Sequence, residues 1–277
     1  EERTVELLCK TLQVSSSGYY KWLKRKPGKQ TKRRHQLLNR IMQIFEDSNR
    51  TYGSPRIYKQ LRAEGFRCTE RTVAELMKKH QITPKRRRKF VKTTDSSHDY
   101  PIAPNLLERD FDSKEPDEVW VSDIMYIETA QGWLYLCVFI DLFSRMVVGW
   151  SMSDRLTADI ALDAFEMGKQ KQQRAPVVVH SDRGSQYACN DFRKLLEQEG
   201  CIQSMSRKGD CWDNAVAESF FGSLKSEMIY REFFPSRIHA STAVFEYIEI
   251  FYNLRRLHSS LGYITPWEKV QKGKKVA

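Results

Sequence analysis

The chain has 277 residues, with 46 Lys and Arg against 35 Asp and Glu and a formal net charge of +11. That length exceeds one average domain, and a 40% apolar, 12% aromatic composition supports a packed core, which excludes wholesale disorder. No stretch approaches the ~18 apolar residues of a membrane span, and no charged-then-apolar leader opens the chain. The six cysteines (Cys9, Cys68, Cys137, Cys189, Cys201, Cys211) are scattered without a CxxC pair. That pattern signals neither a disulfide framework nor a zinc ribbon, so a reduced intracellular setting is expected.

The charge is divided along the chain. Residues 1–92 hold 25 Lys and Arg against 8 Asp and Glu, a net of +17, whereas residues 93–277 hold 21 against 27, a net of −6. A basic module that meets a polyanion, joined to a module with another task, is the physical reading. Within the first module the charge clusters from Lys21 to Arg34, including Lys24, Arg25, Lys26, Arg33 and Arg34. A second run is Lys85, Arg86, Arg87, Arg88 and Lys89.

Residues 4–24 read as two short helices around a Val14-Ser15 break, with Leu8 and Leu12 on one face and Tyr19, Trp22 and Leu23 on the other. A longer helix is expected at about 34–47, through Leu37, Leu38, Ile41, Ile44 and Phe45. Next, Ser54-Pro55 opens a helix with Ile57 and Leu61, Gly65 supplies a turn, and Thr69 caps a helix with Val73, Leu76 and Met77. Two basic helix pairs in series resemble helix-turn-helix units and point to DNA. The expected divisions are a helix-turn-helix-like segment at 1–30 and a second basic helical DNA-binding domain at 31–92. A linker follows at 93–114, marked by Pro101 and Pro104 and little apolar periodicity, and then a catalytic domain at 115–277.

From 117 the period changes to that of strands. Val119 to Ile127, Trp133 to Leu142 and Met146 to Met152 form a meander with turns at Gln131-Gly132 and Ser144-Arg145. A helix at 157–172, a short strand Val177-Val178-Val179, a helix at 191–199, an edge strand at 201–205 and a helix at 214–228 follow. This order specifies an α/β layered domain with a mixed sheet.

Three acids stand out by position. Asp123 interrupts an apolar strand, Asp182 ends the strand His180-Ser181-Asp182 before Arg183-Gly184, and Glu218 lies in a helix capped by Asp213 or Asn214. A carboxylate in a buried strand needs a partner or becomes neutral. Divalent cations suit three converging acids: Mg²⁺ takes one or two carboxylates plus phosphate oxygens, so such a cluster can hold two ions on a phosphodiester, with Mn²⁺ as a substitute. Any one acid alone reads as a salt bridge or cap, which is how Asp141 is read. The spacing is more specific, with 58 residues between Asp123 and Asp182 and 35 between Asp182 and Glu218. Lys225, two helical turns beyond Glu218, shares its side.

The acids with their strings resemble the insertion-sequence-three family of bacterial transposases, in the retroviral-integrase-like superfamily. The strings are Trp120-Val121-Ser122-Asp123, His180-Ser181-Asp182-Arg183-Gly184-Ser185-Gln186-Tyr187, Trp212-Asp213-Asn214-Ala215-Val216-Ala217-Glu218, and Tyr252-Asn253-Leu254-Arg255-Arg256-Leu257-His258 with Leu261-Gly262-Tyr263 and Thr265-Pro266. The resemblance covers about 115–268, and the helix pair at 50–80 resembles the family's pre-catalytic segment.

The resemblance implies an RNase H-like catalytic fold with a mixed five-stranded sheet and flanking helices. It implies Asp123, Asp182 and Glu218 as catalytic, metal-holding triad, with Asp123 shared by both ions, and Lys225 as a contact to the transposon end. Asn214 reads equally as a helix cap or a site residue. Trp212, Gln186 and Tyr187 read as site-lining or as loop packing. The implied reaction frees a 3′-hydroxyl at a transposon end and joins it to another phosphodiester through a circular intermediate.

Double-stranded DNA at transposon ends and target is the implied partner, with a homodimer or larger assembly and neither membrane nor small-molecule cofactor. The resemblance implies a bacterial, cytoplasmic and nucleoid-associated setting. The start at Glu1-Glu2 without sustained heptads suits the downstream portion of a frameshift fusion. A non-catalytic DNA-binding regulator and an RNase H-type nuclease without joining are the alternatives. The helix from Ser236 to about Arg256, with Val244, Tyr247, Ile248, Phe251 and Leu254, is expected to cover the catalytic sheet, with a dimer contact as the alternative.

Overall fold

The computed structural model describes residues 5–24, 26, 28–84, 100–207 and 211–274, and the chain divides into two units, Glu1–Thr83 and Pro84–Ala277. In the first unit, α1 (Val5–Thr11) and α2 (Ser16–Leu23) form a hairpin, with Ser15 capping α2 by accepting from Gly18 N–H at 2.9 Å. The faces expected to pack remain open here: Leu8, Leu12, Trp22 and Leu23 are exposed and only Cys9 is buried. Helices of seven and eight residues present too little surface to close a core between them.

Helix α3 (Lys29–Asp47) starts earlier than its apolar spacing suggested, absorbing Arg33 and Arg34 into exposed turns. Lys24 and Lys26 are also exposed, and Arg33 donates to the main-chain oxygen of Arg67 at 2.6 Å. Arg25 and the run Lys85, Arg86, Arg87, Arg88, Lys89 lie outside the described residues.

Helices α4 (Ser54–Ala63) and α5 (Glu70–Lys79) follow their sequence signals closely. Pro55 occupies the first turn of α4, Gly65 takes φ +86° in the turn, and Thr69 accepts from Thr72 N–H at 3.2 Å to cap α5. Their shared core is Leu37, Ile41, Ile44, Tyr52, Ile57, Leu61, Val73 and Met77. A bidentate Arg40–Glu64 pair ties α3 to α4.

The second unit is built on β1 (Val119–Thr129), β2 (Gly132–Asp141), β3 (Val147–Ser153), β4 (Val178–Ser181) and β5 (Ile202–Met205). The sheet order is β3-β2-β1-β4-β5, antiparallel through the meander and parallel where β4 joins β1 and β5 joins β4. The mixed sheet with flanking helices is therefore as expected. One face packs against α6 (Asp159–Gln172) and α8 (Asn190–Gln198) through Trp120, Phe139, Phe165, Tyr187 and Phe192. Gly149 is required on this face, because a Cβ there would lie 2.2 Å from the main-chain oxygen of Ala164.

Period-two alternation puts Val121, Met125, Leu136, Val138 and Ile140 on the opposite face. That face is covered by α9 (Ala215–Glu227) and α10 (Arg237–Phe245), the short α7 (Ser185–Ala188) lying between β4 and α8 in sequence. After α10 the chain passes into a π-helix, Glu246–Tyr252. The wider i→i+5 turn keeps Val244, Tyr247, Ile248 and Phe251 buried but rotates Leu254 into solvent, out of the stripe expected for an uninterrupted α-helix. Helix α11 (Pro266–Lys274) closes the described chain.

Both edges of the sheet are covered locally. Residues 104–109, placed within a linker, instead line the outer edge of β5. Leu106 N–H donates to Ser204 Oγ at 2.9 Å, Met205 N–H donates to the oxygen of Pro104 at 3.2 Å, and Leu107 is buried. An edge strand presents unpaired main-chain groups, and this segment satisfies some of them. At the opposite edge, Asn253 accepts from Val147 N–H and donates to Val147 O, both at 3.0 Å, so one carboxamide stands in for a missing strand at that residue. Asp141 is a turn cap, accepting from Asp117 N–H and from Ser144 N–H and Oγ.

Candidate active site

The site begins with register. β1 and β4 run parallel, and their last recorded pair is Val121 with His180. Two residues further along each strand stand Asp123 and Asp182, so the sheet itself sets these acids side by side where β1 and β4 end their pairing. Ligand sites in open α/β sheets are built at such carboxyl ends of parallel strands. Each carboxylate is steadied by the chain that follows it: Ile124 N–H donates to Asp123 Oδ1 at 2.8 Å and Gly184 N–H to Asp182 Oδ1 at 2.9 Å. A Cβ on Gly184 would sit 3.0 Å from Asp182 Oδ1 and 3.1 Å from Gln186 Oε1, so a side chain there would press on the Asp182 carboxylate.

Glu218 comes from α9 on the same face of the sheet, in the first turns of the helix, where the helix dipole favours negative charge. It is exposed, whereas Asp123, Asp182 and Lys225 are half-buried. Burial pushes the Asp123 carboxyl well above the usual carboxylate range, and the negative charge of Asp182 adds to it. The Ile124 amide opposes the shift, Glu218 reinforces it, and Lys225 opposes it. Burial in turn draws Lys225 downward, with Asp123 pulling it up. Three acids and one lysine, scattered over 103 positions of sequence, therefore act on one another electrostatically.

The donor set is all carboxylate oxygen, hard ligands matched to a hard divalent cation, and the excess negative potential at Asp123 is what such a cation relieves. Among the described residues, no three His, Cys, Asp or Glu side chains close into a ready-made metal cage.

The remaining expected site residues divide. Tyr187 is a core residue lying under the site: it is buried, with its hydroxyl 2.7 Å from Ser122 Oγ and 3.5 Å from Cys137 Sγ, so it does not line the surface. Gln186 is half-buried and turns its Nε2 to the oxygen of Leu156 at 3.3 Å, a packing bond between loops. Trp212 is exposed on a 3-10 turn, Cys211–Asn214.

Neither expected cap forms at α9. Asn214 occupies the N-cap position without a capping bond and instead donates Nδ2–H to the main-chain oxygen of Ser122 at 2.9 Å. Asp213 is fully buried, and hydrogen bonds from Arg207 and Arg109 hold its carboxyl well below the usual range against the effect of burial. The Asp213 contacts with Asn105 and Arg109 had no signal in the sequence, because those partners lie 108 and 104 positions away.

With this geometry in view, comparison with known proteins is direct. Residues 113–211 and 199–266 each match a family model described as Integrase core domain, and residues 32–90 match an HTH-like domain. Fold and matches together define an integrase-core protein carrying a helix-turn-helix-like domain. Transposase InsF for insertion sequence IS3A of Escherichia coli K12 is 41% identical over 268 residues, covering 96% of this chain and 93% of that protein. The insertion element IS600 uncharacterized 31 kDa protein of Shigella sonnei is 41% identical over 260 residues, with 94% and 96% covered. The chain belongs to the IS3 family of insertion-sequence transposases.

Among solved structures, the HTLV-2 integrase catalytic core domain in complex with magnesium is similar at 17% identity and a TM-score of 0.44, covering 57% of this chain and 98% of that one. Among the described residues no helix is long and apolar enough to cross a membrane.

Proposed function

We propose that this transposase cuts DNA at the ends of its element and joins the freed 3′-hydroxyl to a second phosphodiester, using Asp123, Asp182 and Glu218. In the first step a water oxygen bonds to phosphorus, the P–O3′ bond breaks, and the departing oxygen leaves as a 3′-hydroxyl. In the second, that hydroxyl attacks another phosphodiester in line and displaces its 3′-oxygen. Attack by one end on the same strand beyond the other end gives a circular intermediate that later inserts.

The three carboxylates are the residues that would hold two Mg²⁺ ions, with Mn²⁺ as a substitute. Bound there, such ions supply activation of the attacking oxygen and neutralisation of charge on the phosphorus centre. Lys225, on the same side of α9, offers its ammonium to a phosphate of the transposon end. The basic helical unit grips the duplex, with Lys24, Arg25, Lys26, Arg33, Arg34 and the run Lys85 to Lys89 as phosphate contacts. Holding two ends together calls for a homodimer or larger assembly.

The observation that carries this reading is the β1–β4 register that ends beside Asp123 and Asp182, with Glu218 on the helix α9 that packs on β1. The test is a nicking and strand-transfer assay in Mg²⁺ on duplexes carrying the ends of the encoding element. Asp123→Asn, Asp182→Asn and Glu218→Gln each abolish both steps while leaving DNA binding intact. Full activity in any one of them removes that acid from the site, and joining-free cleavage of RNA–DNA hybrids by the native chain would favour a nuclease instead.

A further inference from the structure

Asp213 and Asn214 are neighbours in one turn, yet each is tied to a different part of the fold. Asp213 Oδ2 accepts from the main-chain N–H and Nε of Arg207, both at 2.9 Å, and from Asn105 Nδ2 at 3.0 Å. Its Oδ1 accepts from Arg207 Nη2 at 2.8 Å and Arg109 Nε at 3.0 Å. Two of these partners, Asn105 and Arg109, belong to the segment that leads in sequence from the helical unit and lies along β5. Asn214, 4% exposed, reaches the other way, to the oxygen of Ser122. Ser122 directly precedes Asp123, and Glu218 follows Asn214 by four residues, one helical turn.

The chemistry of Asn214 marks it as more than a filler. At an N-cap position a carboxamide ordinarily turns back to accept from the first free amides of its own helix. Here it forgoes that bond, and its Oδ1 is buried with no hydrogen-bond partner among the described residues. A buried acceptor left unpaired is unfavourable, so the side chain is held in place for the bond that it donates.

We infer that Asp213 and Asn214 form a positioning device: Asp213 seats the turn on the 105–109 segment, and Asn214 transmits that seating to the strand that carries Asp123. The spacing between Asp123 and Glu218 then depends on a segment that contributes none of the three acids. The inference rests on the reading of Asp123 and Glu218 as partners in catalysis, which it deepens by naming what holds them in register.

The experiment compares full-length variants on a labelled duplex carrying the ends of the encoding element, with end affinity, kcat and KM for cleavage and the folded fraction all measured. Asn214→Leu keeps the volume and removes the donor; its kcat falls about 100-fold, the scale of a small misplacement of reacting groups, while KM and end affinity hold. Arg109→Ala, at a partly exposed position, lowers kcat about 10-fold with KM unchanged, and Arg109→Lys restores part of the loss.

Unchanged kcat in both Asn214→Leu and Arg109→Ala, or a loss that only tracks the unfolded fraction, overturns the inference. Asp123→Asn is run in parallel: if it still cleaves, the underlying reading fails. If it is inactive while the other two variants are normal, the positioning device alone fails.

Discussion

Arg256 closes on Glu227 in a buried two-point pair, Nε to Oε2 and Nη2 to Oε1, both at 2.8 Å. Ser223 Oγ takes a further bond from Arg256 Nη2 at 3.0 Å, and Tyr247 donates its hydroxyl to Glu227 Oε2 at 2.8 Å. Burial would weaken the guanidinium, but the Glu227 carboxylate outweighs it and raises the Arg256 pKa. The pair therefore fastens the last turn of α9 to the string Tyr252 to His258. Asn253 in the same string pins the start of β3. What the sequence presents as a motif near the end of the chain is, in the described structure, a brace for the helix that carries Glu218 and Lys225.

Breaking this pair from one side leaves a buried charge without its partner. Arg256→Met is expected to cost about 3–5 kcal/mol, the usual penalty for an orphaned buried ion. Arg256→Met combined with Glu227→Gln is expected to recover part of it, because no net charge is then stranded. Urea denaturation of the single and double variants checks both. A single variant as stable as the native chain would show that the pair contributes nothing to the brace.

His180 makes stability depend on pH. Its ring lies between Ser204 Oγ at 2.8 Å and Ser206 Oγ at 3.1 Å, bridging β4 to β5 and the residue after it. Burial pushes its pKa down to about 4, against a pull upward from Asp213. The unfolded chain binds this proton near pH 6.5 and the folded chain only near 4, so between those values the unfolded state holds more protons. Stability contributed by the neutral ring is complete above pH 6.5 and is lost as pH falls toward 4, by about 3 kcal/mol over the full window. Urea midpoints at pH 7 and pH 4.5 measure the slope. His180→Gln, neutral throughout, is expected to flatten it; an unchanged slope would place the dependence on other groups.

The strands, their meander and most helices were legible because each carries a strong local signal: period-two apolar runs, Gly132 at a tight turn, Thr69 before an apolar helix. The three acids were legible from their spacing and from the odd placement of a charge within an apolar strand. Local pattern is silent about contacts made across a hundred positions, so the clamp of Asn105 and Arg109 on Asp213 left no trace. Of the two readings that the sequence leaves open for Tyr187, lining and packing, local pattern does not choose either. Nearness to Asp182 in sequence does not say which way a side chain on the short helix α7 falls, and Tyr187 turns inward to Ser122 and Cys137. The π-turn after α10 likewise follows from tertiary fit, which periodicity alone does not encode.

The basic runs set a salt dependence. Each phosphate contact releases condensed counterions, lowering the slope of log K against log salt by about 0.9. Replacing Lys85, Arg86, Arg87, Arg88 and Lys89 together by Gln is expected to flatten the slope for duplex binding by up to about 4, with weakened binding across unrelated sequences. Fluorescence anisotropy between low and moderate salt reads it out. A slope indistinguishable from that of the native chain would remove the run from the DNA interface.

Asp123 should trade stability against function. Without a cation, its carboxylate is desolvated and faces the negative charges of Asp182 and Glu218, with Lys225 and the Ile124 amide in its favour. A carboxyl raised above its unfolded range opposes folding at neutral pH, since the unfolded chain ionises more readily. Asn is nearly isosteric and removes that charge. Asp123→Asn is therefore expected to melt higher than the native chain in EDTA, by about 2 °C or more for a unit of this size. Mg²⁺ binds the folded state of the native chain and should raise its melting temperature toward that of the variant, while leaving the variant little changed. Thermal melts of both proteins with and without Mg²⁺ separate these outcomes. Equal melting in EDTA would mean that the strain at Asp123 is already relieved by its neighbours. An equal response to Mg²⁺ would move the ion away from Asp123.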